Sequence, residues 1–398
     1  MLSGYAKYAD VVVTNPTSSL LSDFSLPLRV TIPTAYLLAG TDDIRVCYPA
    51  DDTPIPYGLK TAEVSGINTL LYLYCKPTSI TGSGTLTIRV YAGNAAASNG
   101  ETKTGVFDAN TALFMPLGGS GSLDVSDWTG VNTPTNYGAT NGSGPFGGVG
   151  SFGGTSSYVR IPNSAQVNFG TGPCSIGAWV NLTSPSAHSD AIIGKDSYVG
   201  GSSYTGYMLN VQDGPTWAIE TRNVAGSGPR TPLTTSTATS GWHFVVGVRE
   251  GSSPATLRVY VDGVSAGSTT EIGTTNVDND TDVTIGALNS NHLGQWLTGS
   301  ACGVFMDSVA RAAPWIAAEY AFGLNGDYQS QGEWQSTTPP AVDGSGVMKW
   351  FGIDWFSGAY WHTQWFAGLS EPLQPPEPVE TFVINPVSNA TFVVVLPW

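Results

Sequence analysis

Short apolar runs broken by Pro, Gly and Asn recur along the first part of the chain: YADVVVTNP, FSLPLRVTIP, DDIRVCYP, NTLLYLYCKP and GTLTIRVYAGN, all between residues 5 and 94. Each has strand length and strand residues, and each ends at a turn former. Proline follows or interrupts four of the five, as it does at strand ends and sheet edges. Further along, FVVGV and LRVYVDG have the length and β-branched content of sandwich strands. Asp262-Gly263 between LRVYV and VSAG predicts a type I′ hairpin, which needs positive φ at both turn residues. PWIAAEYAF is the one short helical stretch, with Pro314 near its start.

The pattern changes after about residue 325. GLNGDYQSQGEWQSTTPPAVDGSG is polar and rich in turn formers, which predicts a linker over residues 326–345. Residues 346–370 carry aromatic pairs at a five-residue interval: Trp350-Phe351, Trp355-Phe356, Tyr360-Trp361 and Trp365-Phe366. Five is neither the helix nor the strand period, so an extended chain shows one aromatic of each pair to either side. Both sides are buried by a compact wrap of short strands, or by packing between subunits or against another protein. A Pro-rich spacer (371–380) is extended and stiff. The last segment, 381–398, ends in TFVVVLPW with Phe392 and Val394. That uncharged, β-prone run either folds back on its own sandwich or adds a strand to a partner's sheet.

Composition fits a chain of strands and turns. Charged residues are 11% of 398, against roughly 25% in an ordinary domain, and there are 49 Gly and 26 Pro. The expected class is all-β: two tandem β-sandwiches (1–111 and 112–325) followed by a short aromatic, β-rich docking segment. The net charge of −15 reflects only 15 Lys+Arg, with no basic stripe, so nucleic acid is not an expected partner. The opening MLSGYAKYADVVV lacks the apolar core of a signal peptide, and no run reaches the ~18 apolar residues of a membrane span. The expectation is a chain made in the cytoplasm that does not insert in a membrane. Cys47, Cys75, Cys174 and Cys302 lack metal-ligand spacing and read as reduced core residues, with pairing of Cys47 to Cys75 and Cys174 to Cys302 left open.

Catalytic motifs are missing from the sequence. Retaining glycoside hydrolysis needs two carboxylates about 5–5.5 Å apart, which a strand supplies with an E-x-D-x-x-E string. No such string occurs, and Glu220, Glu250 and Glu271 are isolated. His188, His243, His292 and His362 are dispersed, and His243 in GWHFVV reads as a strand residue facing solvent or a neighbour. There is no G-x-S-x-G elbow and no G-x-x-x-x-G-K loop. The expectation is a protein that is not an enzyme and has no cofactor. Calcium is the ion the sequence could take: NVDNDTDVT sets Asp278, Asp280 and Asp282 at alternate positions. It lacks the Gly and the acidic residue that an EF loop has where Val283 and Asn289 stand, and a solvated acidic turn is the other reading. Asp124, Asp127 and Asp196 are lesser candidates. Trp128, Tyr198, Tyr204, Trp217 and Trp296 lie in or near predicted loops and are candidate stacking faces for a sugar.

Two stretches carry resemblances. N-P-T-S-S-L-L-S-D-F, DDIRVCYPADDTPIPYGL and IRVYAGN resemble a β-sandwich family of unknown function often followed by a laminin-G-like domain. Gly147-Gly148, Tyr158 to Pro162, Trp179, IIGKD, GWHFVVGVRE, LRVYVDGVSAG, VTIGA and MDSVARAAPWIAAEY resemble, in order, a LamG-type, concanavalin A-like jelly roll over 112–325. That family often carries Ile-Asp-Glu before its closing strand, part of a calcium site; here Ala301-Cys302-Gly303 stand there, so the carboxylates are gone. The whole chain looks like a virion protein of tailed bacteriophages: a tail fibre, spike or capsid decoration. That resemblance implies a place in the virion, partners among other virion proteins or copies of itself, a homo-oligomer, and contact with host surface glycans. The alternative from another class is a carbohydrate-binding module or a hydrolase-like protein acting on polysaccharide.

Overall fold

The alternation of the first runs becomes strands whose every second residue is buried. Ala9, Val11 and Val13 point inward from Lys7–Thr14, and Leu26, Leu28, Val30 and Ile32 from Leu26–Pro33. Lys7–Thr14 pairs antiparallel with Thr85–Ala92, which pairs with Arg45–Cys47. Leu26–Pro33 pairs with Asn68–Cys75, which pairs with Tyr57–Ser65. The inward residues of these sheets form one hydrophobic core, so the N-terminal region is a β-sandwich. This computed structural model describes residues 1–119, 121–183, 185, 190–200, 203–212, 214–222, 230–252, 254–272, 276–288, 291, 293–324, 326–337, 348–350, 353–355, 380–384 and 392–396.

The second sandwich has two large antiparallel sheets. One runs Thr135–Tyr137, Tyr158–Ile161, Val283–Ile285, Asp190–Gly200, Ser203–Gln212, Thr216–Arg222, Arg230–Thr237. The other runs Thr140–Gly144, Gly147–Gly153, Thr298–Asp307, Cys174–Leu182, Gly241–Glu250, Thr256–Val261, Val264–Thr270, with Thr111–Met115 also on Thr298–Asp307. Ile161, Leu209 and Ile219 from the first sheet join Ile176, Val245 and Met306 from the second in one core. The predicted I′ turn forms: Asp262 and Gly263 have φ of 53° and 78° between paired Val261 and Val264. All four cysteines are buried free thiols. Burial pushes Cys47 up to about 11 and Cys174 up to about 12.

The helix Ala313–Leu324 is apolar nearly all round, and it buries residues in the cores of both sandwiches. Ile316 belongs to the core of the second sandwich, Ala318 and Phe322 to that of the first, and Trp315 packs against both. Phe24 meets Trp315 edge-on at 5.6 Å and Phe322 at 5.8 Å. Gly323 is required here, since a Cβ would lie 2.8 Å from the Trp179 indole.

The segment expected as a linker over 326–345 differs in its first part. Gln329–Gln331 is a strand on Val11–Val13, at the edge of an N-terminal sheet. Its side chains reach the edge strand of the other sheet. Gln329 Oε1 accepts the Arg29 N–H at 3.1 Å, and Gln331 Oε1 accepts the Thr31 N–H at 2.8 Å. Gln331 Nε2 and Trp334 Nε1 both donate to the Thr31 carbonyl, at 2.7 and 2.8 Å. A glutamine amide offers the donor and acceptor of a peptide group, so this polar segment finishes one sheet by its backbone and the other by its side chains. The first sandwich is therefore completed by residues that follow the second.

Met1–Gln335 forms one compact unit and Ser336–Trp398 another. In the second, Met348–Trp350 pairs with Ile353–Trp355, and Glu380–Ile384 pairs with Phe392–Leu396, setting Ile384 opposite Phe392 and Phe382 opposite Val394. The terminal run thus has a strand partner within its own tail. Phe351, Phe356, Tyr360, Trp361, Trp365 and Phe366 lie outside the described residues, as does the spacer before Glu380. Among the described residues no helix is long and apolar enough to cross a membrane.

Candidate functional site

The seven-stranded sheet has an outer face as well as a core face. Val159, Ile193, Tyr207, Leu209, Trp217 and Ile219 point into the core, so strand alternation turns Tyr158, Arg160, Asp196, Tyr198, Tyr204, Met208, Glu220 and Arg222 outward. Register sets Arg160, Thr284, Gly194, Met208 and Glu220 in one cross-strand row. Asp196, Gly206 and Arg222 form a second row, and Tyr198 opposes Tyr204.

Toward one side of this face the groups close on each other. Arg222 Nη1 donates to Asp196 Oδ2 and Nε to Glu220 Oε2, each at 2.9 Å. Gln212 donates to Glu220, and the guanidinium lies over the Tyr204 ring at 4.7 Å. Tyr198 and Tyr204 are 5.3 Å apart, and Asn291 bonds both the N–H and the carbonyl of Tyr198, at 3.1 and 2.9 Å. Only 9% of the Arg222 side chain is exposed, so this is a buried, mutually neutralised network.

Toward the other side the groups are open. Tyr137 stacks on Tyr158 with centroids 4.6 Å apart and planes within 5°, and Trp296 follows Tyr158 at 5.9 Å. Arg160, two residues along from Tyr158, pairs with Asp282, whose Oδ1 also accepts the Asn163 N–H at 2.8 Å. Bonds to Asp282 and to the Tyr137 hydroxyl hold the guanidinium charged, raising its pKa. Tyr137 is 39% exposed and the Arg160 side chain 47%.

Of the aromatics expected to face a sugar, Trp296, Tyr198 and Tyr204 are on or beside this face, and Trp128 and Trp217 are not. Each of the latter two is 1% exposed. Trp217 falls at an inward position of Thr216–Arg222 and meets the His243 ring at 5.6 Å. Trp128 lies under the first sandwich, with Lys103 over its ring at 5.1 Å and Gly58 so close that a Cβ would come within 2.6 Å. Turn residues nearby mark both as loop tryptophans in the sequence, but they show neither which side each faces nor that the first sandwich covers Trp128. Tyr137, Tyr158 and Arg160 were missed; the spacing Tyr158-x-Arg160 on a strand was the available signal.

The carboxylates expected to ligate calcium lie against groups of the chain itself. Asp278 Oδ1 accepts the Gly170 N–H at 2.6 Å and Asp282 holds Arg160. The cation beside Asp278, Asp280 and Asp282 is the ammonium of Lys195, which donates to Asn168 Oδ1 at 2.7 Å and to the Asn279 carbonyl. Burial lowers Lys195 to about 8, and the three carboxylates act against that shift. Asp124 and Asp127 accept backbone N–H groups of their own turns, and Asp196 holds Arg222. Among the described residues no group of three or more His, Cys, Asp or Glu is arranged to hold a metal. His243 faces a neighbour, Asp262 Oδ2 at 2.8 Å, which raises its pKa.

A pocket of about 20 Å³ lies under the helix Ala313–Leu324, bordered by Asp23 and Ser25 of the first sandwich and by Asp108, Asp307, Arg311 and Glu319. That is room for a water molecule and not for a ligand. Arg311 is engaged by Asp108 at 2.7 and 2.9 Å and by Asp307 at 2.8 Å. Glu319 is buried with Oε2 unbonded, and burial, reinforced by Asp307, pushes its carboxyl up to about 8.

Residues 152–317 match the family model described as the concanavalin A-like lectin/glucanases superfamily, of laminin-G type. The second sandwich is therefore a concanavalin A-like, LamG-like jelly roll. No curated protein matches the sequence. Among solved structures the chain is similar to the binding domain of Paraclostridial Mosquitocidal Protein 1 (11% identity, 53% of this chain and 52% of that chain, TM-score 0.42). It is also similar to the receptor-binding domain of botulinum neurotoxin C/D mosaic serotype (12%, 53% and 51%, 0.41). A third is the binding domain of Botulinum Neurotoxin DC in complex with SialylT (11%, 55% and 52%, 0.40). The matched region spans about half the length of each of these chains.

Proposed function

We propose that this chain is a non-enzymatic adhesive or structural protein whose jelly roll binds a glycan on the outer face of the seven-stranded sheet. In this reading it is a component of a tailed-bacteriophage virion, a tail fibre, spike or capsid decoration. Residues 346–398 attach it to another virion protein or to further copies of itself. The observation that carries the binding half is the outward-facing set Tyr137, Tyr158 and Trp296 beside the exposed Arg160. Flat aromatic faces next to charged hydrogen-bonding groups suit a ring that is apolar on one side and hydroxylated at its rim.

Binding is favoured over hydrolysis by the state of the carboxylates on that face. Asp196 and Glu220 are both held by Arg222, whereas a glycosidase needs one carboxyl free to act as a protonated acid. The anchoring half rests on the aromatic pairs and on the terminal FVVVL run.

A glycan array with the full chain tests the binding half: retention of a defined set of glycans is expected, and retention of none refutes it. Deleting residues 346–398 tests the anchoring half by sedimentation and by incorporation into particles. A truncated chain that still assembles as the full chain does would end that part of the proposal.

A further inference from the structure

The two sides of the outer sheet face have similar chemistry and opposite accessibility, and the open side has the makings of one sugar subsite. We propose that Tyr137, Tyr158 and Trp296, with Arg160 and Asp282, form a subsite for a neutral pyranoside of a glycan. This rests on the glycan-binding reading above and names its place and ligand class.

Tyr137 and Tyr158 are cross-strand partners, so the backbone fixes their stacking, and Trp296 extends the row beyond Tyr158. Tyr137 stands on the short strand Thr135–Tyr137, at the end of the sheet order, where no further strand follows it among the described residues. The apolar C–H face of a pyranose can lie against the exposed aromatic surface. Register puts Thr135 opposite Arg160, so the guanidinium stands on the same face and one step along from the rings. Arg160 gives one donor to Asp282 and one contact to Tyr137, which leaves others of its five donors on a half-exposed side chain. Adjacent donors and carboxylate acceptors are what two neighbouring sugar hydroxyls need.

Charge decides the ligand class. Asp282 already neutralises Arg160, and the chain as a whole carries −15. An acidic glycan would approach a like-charged protein and find Arg160 already paired, whereas a neutral one loses nothing to that field. The Tyr198–Tyr204 pair does not compete for this role, because Arg222 covers Tyr204 and the network around it is buried.

The test is titration of the full chain with neutral array hits, and with a sialylated trisaccharide as the acidic probe, at low and at physiological salt. For wild type, neutral glycans are expected to bind, with affinity insensitive to salt. Tyr137→Ala and Trp296→Ala should each weaken binding by about tenfold or more, as central aromatic contacts do. Tyr137→Phe should keep most of it, and Arg160→Gln should weaken it by severalfold while thermal melts stay at the wild-type value. Neutral-glycan binding unchanged in Tyr137→Ala and Trp296→Ala would overturn this subsite and leave the glycan-binding reading standing. Binding confined to the sialylated probe would overturn the ligand class. Binding of no glycan by wild type would overturn both.

Discussion

Arg160 and Arg222 stand on the same face of the same sheet, each beside a tyrosine and a carboxylate, yet their settings differ. Arg222 is shut in with Asp196, Glu220, Gln212 and Tyr204, and 9% of its side chain meets solvent; for Arg160 the figure is 47%. One guanidinium completes a buried network and its chemistry is used up within the fold. The other has the same donors and keeps part of them available. Residue type alone does not separate a closed cluster from an open one: the exposure of the groups does.

Removing each guanidinium should break that comparison most sharply. Arg222→Met leaves two buried carboxylates without a cation and should destabilise the unit by about 3–5 kcal/mol, read from chemical denaturation. Arg160→Met removes a surface pair and should change stability by no more than about 1 kcal/mol. Equal losses would show that the two clusters do the same job.

Glu319 shows what a buried carboxyl becomes when its nearest arginine is engaged elsewhere. Its folded pKa, about 8, lies above the ordinary carboxyl value, so the folded state keeps a proton that the unfolded chain releases. Its stability contribution is then intact at pH values below the unfolded pKa and declines as pH rises through 8. Glu319→Gln should remove that decline and stabilise the protein at pH 9 by roughly 1–3 kcal/mol, with little change at pH 4. A variant whose melting temperature follows wild type across that range would contradict this.

Gln331→Ala tests the closure of the first sandwich, where one side chain replaces a missing strand. It should cost about 1–2 kcal/mol, and Gln331→Glu more, because a carboxylate cannot donate to the Thr31 carbonyl. The smallest expected effect is that of a chelator. With Lys195 as the cation beside Asp278, Asp280 and Asp282, EDTA should leave the melting temperature unchanged. A calcium-dependent rise in melting temperature would overturn that assignment.

Much of the fold was legible because strands write themselves as period-two apolar runs ended by Pro, Gly and Asn. Leu26–Pro33 follows that rule, Gly241–Glu250 is instead a continuous run with Phe244 to Arg249 all buried, and Asp262-Gly263 marks its turn by residue type. The Gln329–Gln331 strap was read as linker because its function depends on polarity: its amides bond an edge instead of entering a core. The candidate site was legible only in part. Trp296, Tyr198 and Tyr204 were picked by proximity to turns, a criterion that also admitted Trp128 and Trp217. What separates them is strand parity and the cover supplied by another sandwich. Tyr137 and Tyr158 become neighbours only through the pairing of Thr135–Tyr137 with Tyr158–Ile161, which no local pattern displays. Lys195 could not be placed among the acidic residues at 278–282, because more than eighty positions separate them in the chain.

In the proposed function the open side of the sheet binds a glycan and the closed side does not. Titration of neutral oligosaccharides into the full chain, side by side with Tyr137→Ala and Tyr204→Ala, tests it directly. The prediction is a loss of about tenfold or more for Tyr137→Ala and wild-type affinity for Tyr204→Ala. Unchanged affinity in Tyr137→Ala together with a loss in Tyr204→Ala would contradict it.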